Sequence, residues 1–85
     1  MNWELRIGRS ARKNLARFPK KDQINIAKAF REFIFSPFIG DIQKIRGEKD
    51  IWRRRIGSYR VIYEIDLKQN IISVLDIRRR TSVTY

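Results

Sequence analysis

The sequence predicts an α+β fold in the order β-α-α-β-β-β, with a helical hairpin packed against an antiparallel sheet. Three observations lead there. Residues 2–7 alternate, with Trp3, Leu5 and Ile7 on one side and Glu4 and Arg6 on the other, the period of a half-buried strand. Residues 11–34 change to the helical period. From Ile51 onward the period returns to two, in three runs separated by turn residues. Strands grouped in sequence, rather than alternating with helices, place the helices on one side of an antiparallel sheet.

In order along the chain, Gly8 and Ser10 end the first strand, and Ser10 is the expected N-cap of the first helix. Ala11, Leu15 and Phe18 fall at i, i+4 and i+7, and Pro19 ends that segment. Asp22 is the expected cap of a second helix, whose apolar positions are Ile26, Ala27, Phe30, Phe33 and Ile34; Ser36-Pro37 stops it. The cations of the pair (Arg12, Lys13, Lys20, Lys21, Lys28) fit a solvated outer face better than a binding site. Residues 36–43 read as a loop, Lys44-Ile45-Arg46 as the start of a short strand, and 47–50 as a turn. Residues 51–56, 59–66 and 71–77 follow as a three-strand meander, joined by Gly57-Ser58 and by 67–70. Trp3, Leu15, Phe18, Phe30, Phe33, Trp52, Val61 and Tyr63 are expected to form one core between the helices and one face of the sheet. Arg54 shares that face, where snorkelling at the sheet margin is the expected solution.

Eighty-five residues fit a single domain, 1–85, with a small core. Formal charge is +11, from 20 Lys and Arg against 9 Asp and Glu. Such an excess steers a protein toward nucleic acid, ribosomes or an acidic protein partner. Cysteine and histidine are both absent, which excludes disulfides, thiol chemistry, the usual zinc sites and a histidine general base. No metal or other cofactor is expected. There is no apolar stretch long enough for a signal peptide or membrane span, so the expected location is the cytoplasm. A Gly-rich phosphate loop and a nucleophile elbow are missing as well.

What remains is a basic cluster and a terminal tyrosine. If Gly57 and Ser58 are the loop of a hairpin, Ile56 faces Tyr59 and Arg55 faces Arg60. Alternation then puts Arg53, Arg55 and Arg60 on one face. Arginines directly opposite one another repel, so a sheet built only for stability avoids that pairing. The cluster therefore points to an anion, and phosphodiester is the obvious candidate. RNA carries its own nucleophile in the 2′-hydroxyl, so a protein need only align it, stabilise the crowded phosphorane and help the 5′-oxygen leave. Guanidinium forks suit the non-bridging oxygens, and Tyr85 can stack on a base or donate a proton. Arginine is a poor general base, with a pKa above ~12. A patch that holds phosphate backbone without cutting it fits the same residues. Glu64 and Asp66 alternate along one strand and read as solvated, or as balancing nearby arginines.

The run Lys44-Ile45-Arg46-Gly47, then Ile51 to Ile65 with Arg53-Arg54-Arg55-Ile56-Gly57-Ser58-Tyr59-Arg60 at its centre, resembles the RelE/ParE superfamily of type II toxins over nearly the whole chain. The resemblance implies the same β-α-α-β-β-β fold. For the RelE-like branch, which the retained basic set and Tyr85 favour, it implies a ribosome-dependent endoribonuclease that cuts mRNA in the A site and is neutralised by a cognate antitoxin. It implies catalytic roles for Arg53 and Arg55 (activating the 2′-hydroxyl), Arg60 (the scissile phosphate), Arg80, or Arg79 by an alternative spacing (the leaving group), and Tyr85 (orienting the base). Lys44, Arg46, Lys49, Arg78 and Arg79 are the accompanying RNA-binding candidates. Arginine replaces lysine at 53 and 55, which does not suit a lysine-as-base scheme. The alternatives are a ParE-like inhibitor of DNA gyrase and a non-catalytic RNA-binding module.

Overall fold

A computed structural model describes residues 3–47 and 50–79. Strand β1 (Glu4–Ile7) leads into helices α1 (Arg9–Ala16) and α2 (Lys20–Phe35). Strands β2 (Ile42–Lys44), β3 (Ile51–Ile56), β4 (Tyr59–Asp66) and β5 (Ile71–Arg79) follow. They form one sheet in the order β1-β5-β4-β3-β2. The class and the meander are as expected, with two additions. A fifth strand, β2, covers 42–44 rather than starting at Lys44, and β1 runs parallel to β5, so the sheet is mixed. Period-two alternation carries no strand direction, and a three-residue strand is too short to show a period at all.

The core lies where the periods put it. Ala11 of α1 and Ile26, Phe30 and Phe33 of α2 pack on Tyr59, Val61, Tyr63 and Ile65 of β4 and Ile72, Val74 and Ile77 of β5. Of the expected core residues, Phe30, Phe33, Val61 and Tyr63 are buried, while Trp3, Leu15, Phe18 and Trp52 pack around them partly exposed. The Phe33 and Tyr63 rings meet at 4.6 Å and a tilt of 39°. Tyr63 donates its hydroxyl to the Pro37 carbonyl at 2.9 Å, so its polar end is satisfied inside the core. Burial pushes the Tyr63 phenol up to about 12, against the opposing charge of Arg54.

Both helix starts differ from expectation. Gly8, not Ser10, caps α1, its carbonyl accepting from the Arg12 N–H at 2.9 Å. Pro19, not Asp22, caps α2, its carbonyl accepting from the Asp22 and Gln23 N–H groups. The side chains of Ser10 and Asp22 are engaged across the fold instead: Ser10 donates to Asp76, and Asp22 accepts from the Tyr59 hydroxyl at 2.6 Å. A cap reading sees only local partners, and here distant ones win. Arg12, Lys13, Lys20, Lys21 and Lys28 are exposed on the outer helical faces.

Candidate nucleic-acid interface

The hairpin register is the expected one. Gly57 takes a left-handed φ of +57°, Ile56 pairs with Tyr59, and Arg55 pairs with Arg60. Arg60 is in turn paired with Arg78 on β5. Arg55, Arg60 and Arg78 thus form a row across three adjacent strands, on the side of the sheet away from the helices. Arg53, opposite Ile62, lies on the same side one step along β3. Like charges directly opposite one another destabilise a sheet, and this row contains two such pairs.

Polar neighbours hold the arginines from the margins. The Arg53 guanidinium donates to Gln43 Oε1 on β2. Arg55 Nη1 lies 3.9 Å from Asp41 Oδ2, and both side chains are largely exposed, so that pair is weak. Arg78 Nε donates to Asp76 Oδ2 at 2.6 Å. Burial pushes the Asp76 carboxyl up, but hydrogen bonds from the Arg78 side chain and the Ile77 backbone, with the Arg78 charge, outweigh it and leave the group below the usual carboxylate value. Along β4 the face changes sign: Glu64 and Asp66 lie beyond Ile62, toward the other end of the strand. There Asp66 accepts the Lys68 and Gln69 N–H groups at 3.0 and 3.1 Å. Asp66 is thus occupied as a turn residue.

The remaining sequence candidates divide. Arg46 is exposed in the loop after β2. Lys44 pairs with Trp52 and therefore belongs to the opposite side of the sheet from Arg53. Arg79 pairs with Tyr59 and so also lies on the helix side; its charge acts on the Tyr59 phenol, where the hydrogen bond to Asp22 prevails and raises the pKa. Arg78 and Arg79, adjacent in sequence, thus serve opposite faces. Lys49, Arg80 and Tyr85 lie outside the described residues.

Arg54, between the two site arginines of β3, points the other way. Its guanidinium pairs with Glu32 of α2 and sits 5.4 Å from the centre of the Phe33 ring. The side chain is 12% exposed, so the expected snorkelling at the margin is replaced by an ion pair that ties α2 to β3. Gly40 closes over it with φ +97°, and a Cβ there would lie 2.6 Å from Arg54 Nε. Asp76, Asn14 and Gln43 were not among the sequence candidates. For Asp76 a signal existed: Asp-x-Arg on a strand puts acid and base on one face.

Comparison with known proteins agrees with this architecture. The model of the ParE toxin of type II toxin–antitoxin systems, parDE, matches residues 5–83. No curated protein matches the chain. Among solved structures, the archaeal RelE–RelB complex from Pyrococcus horikoshii OT3 superposes with a TM-score of 0.86 at 26% identity, covering 98% of this chain and 100% of that one. The isolated E. coli RelE toxin gives 0.82 at 19%, covering 95% and 87%. A YoeB/ParE toxin from Agrobacterium tumefaciens gives 0.77 at 19%, covering 92% and 99%; at such identity the likeness concerns the fold alone.

Proposed function

Since this chain belongs to the ParE toxin family of type II toxin–antitoxin systems and has a RelE-like fold, we propose that it is a toxin that cleaves mRNA on the ribosome in the cytoplasm. The observation that carries this reading is the row Arg55, Arg60 and Arg78 with Arg53 beside it. Three guanidinium groups in register match a phosphate whose charge grows in the transition state, and a site matched to that growth accelerates the step. In this scheme the 2′-hydroxyl attacks the adjacent phosphorus and the 5′-oxygen departs. Arg60 stabilises the phosphorane oxygens, and Arg53 and Arg55 hold the attacking side. Arg80 and Tyr85 are assigned to the leaving group and the base from the resemblance alone. An arginine-rich site supplies charge and alignment rather than a strong base, so proton removal from the 2′-hydroxyl is its weakest step.

The partner we propose is an acidic antitoxin that covers the basic face, in line with the RelE–RelB complex from Pyrococcus horikoshii. Inhibition of DNA gyrase is the second reading, favoured by the ParE description of the matching family. Purified protein added to programmed ribosomes, with breaks mapped by primer extension, tests the first; a supercoiling assay run in parallel tests the second. Ribosome-phased cuts support the RNase. Inhibited supercoiling without cuts replaces it with the gyrase reading. RNA retained uncut, with gyrase unaffected, reduces the row to a binding patch.

A further inference from the structure

The pairing of β4 with β5 contains a register shift: Tyr63 pairs with Val74, but Ile62 pairs with Asp76, leaving Leu75 as an extra residue. Unshifted alternation from Val74 would send Asp76 and Arg78 to the helix side and turn Ile77 outward. With the shift, Ile77 is fully buried and Arg78 stands opposite Arg60. Asp76 is the first paired residue after the bulge, and its two oxygens have separate tasks. Oδ1 accepts from Asn14 Nδ2 at 2.9 Å, Ser10 Oγ at 3.2 Å and the Ile77 N–H at 2.9 Å. The Asn14 amide also donates to the Ile77 carbonyl at 3.1 Å, so α1 grips the backbone just past the bulge. Oδ2 receives Arg78 Nε at 2.6 Å.

We propose that Asp76, anchored to α1 by Asn14 and Ser10, is a positioning residue that fixes Arg78 beside Arg60 for contact with RNA phosphate. The proposal rests on the RNA-directed reading above and adds to it the device that orders one end of the row. The Arg78 side chain is 74% exposed and would otherwise wander among rotamers, whereas the Asp76 side chain is 16% exposed and held from three directions. Engaging Arg78 through Nε leaves its two terminal nitrogens for phosphate oxygens.

The test combines kinetics with a spectroscopic signature. On programmed ribosomes, Asp76→Ala should lower kcat at least ~10-fold, the scale of a misplaced catalytic group. The double variant Asp76→Ala/Arg78→Ala should be no slower than Arg78→Ala, because the two act as one unit. Multiplicative losses in the double variant would overturn the proposal. In NMR spectra the Arg78 Nε–H should exchange slowly in the wild type and rapidly in Asp76→Ala, with the core signals unmoved; an unchanged Arg78 signal would also overturn it. Should Asp76→Ala not fold, Asp76→Asn keeps one acceptor oxygen for α1 and replaces the carboxylate oxygen facing Arg78 Nε with an amide NH2 that cannot accept from it, and the same outcomes apply. A wild type that cuts no mRNA defeats the RNase reading separately. In that case affinity for a short single-stranded RNA decides: a loss in Asp76→Asn equal to that in Arg78→Ala supports positioning, and an unchanged affinity refutes it.

Discussion

Arg60 sits at the centre of the row, between Arg55 and Arg78. Arg60→Ala removes both like-charge oppositions, so the fold should persist with an unchanged or slightly raised Tm. Cleavage on ribosomes should fall ~100-fold or more, the scale for one lost charge-stabilising donor. Melting curves and primer extension on the same preparation check both halves. An equal fall in ribosome binding and cleavage would mean that the residue only holds phosphate. Behind the sheet, Gly40 and Arg54 make the opposite kind of prediction. Gly40→Ala places a methyl 2.6 Å from Arg54 Nε, at a backbone φ of +97° that side chains rarely adopt. A loss of ~2 kcal/mol is expected in urea unfolding, from backbone strain and the displaced guanidinium together. Trimming Arg54 to Ala in the same chain should relieve the steric share only, so the two substitutions should not be additive.

At the scale of elements, the α1–β5 attachment is electrostatic as well as apolar. The Asp76 carboxyl titrates below its ordinary value of 3.8 in the folded chain. A carboxylate depressed by folding stabilises the fold above its unfolded pKa, and that contribution is lost as pH falls through the folded value. The stability gap between wild type and Asp76→Asn should therefore be full at neutral pH and shrink below about pH 4. Urea unfolding at both pH values checks it, and a gap that widens in acid would contradict the assignment. The same attachment shows what sequence could and could not tell. Alternation along 51–66 was enough to pair Arg55 with Arg60, because a two-residue loop fixes register by itself. Extended onto β5, the same alternation would put Arg78 and Asp76 on the wrong face, since nothing in the run 71–79 marks Leu75 as the bulge. The bulge is stabilised by Asn14, which is distant in sequence. The bounds of β2 and the parallel placement of β1 escaped for the same reason: their evidence lies in partners, not in their own periods. Arg54 stands on the apolar face because Glu32 and Phe33, distant in sequence, meet it there.

For the whole molecule the question is whether the net charge of +11 or the row itself governs binding to nucleic acid. Both produce salt dependence, since each phosphate neutralised releases counterions. They differ in which cations count. Cations at the margin of the molecule, such as Lys13 on α1, add to the long-range field but touch no phosphate if RNA lies on the row. A plot of log affinity against log salt for a short single-stranded RNA should therefore become shallower by ~0.7 in Arg60→Ala, the share of one phosphate contact. In Lys13→Ala the slope should stay as in the wild type, with only a small drop in affinity at low salt, where screening lengths are long. Filter binding across a salt series measures both. Matching slopes in Arg60→Ala and the wild type would show that no phosphate lies on the row, and the mRNA reading would lose the contact on which its chemistry depends.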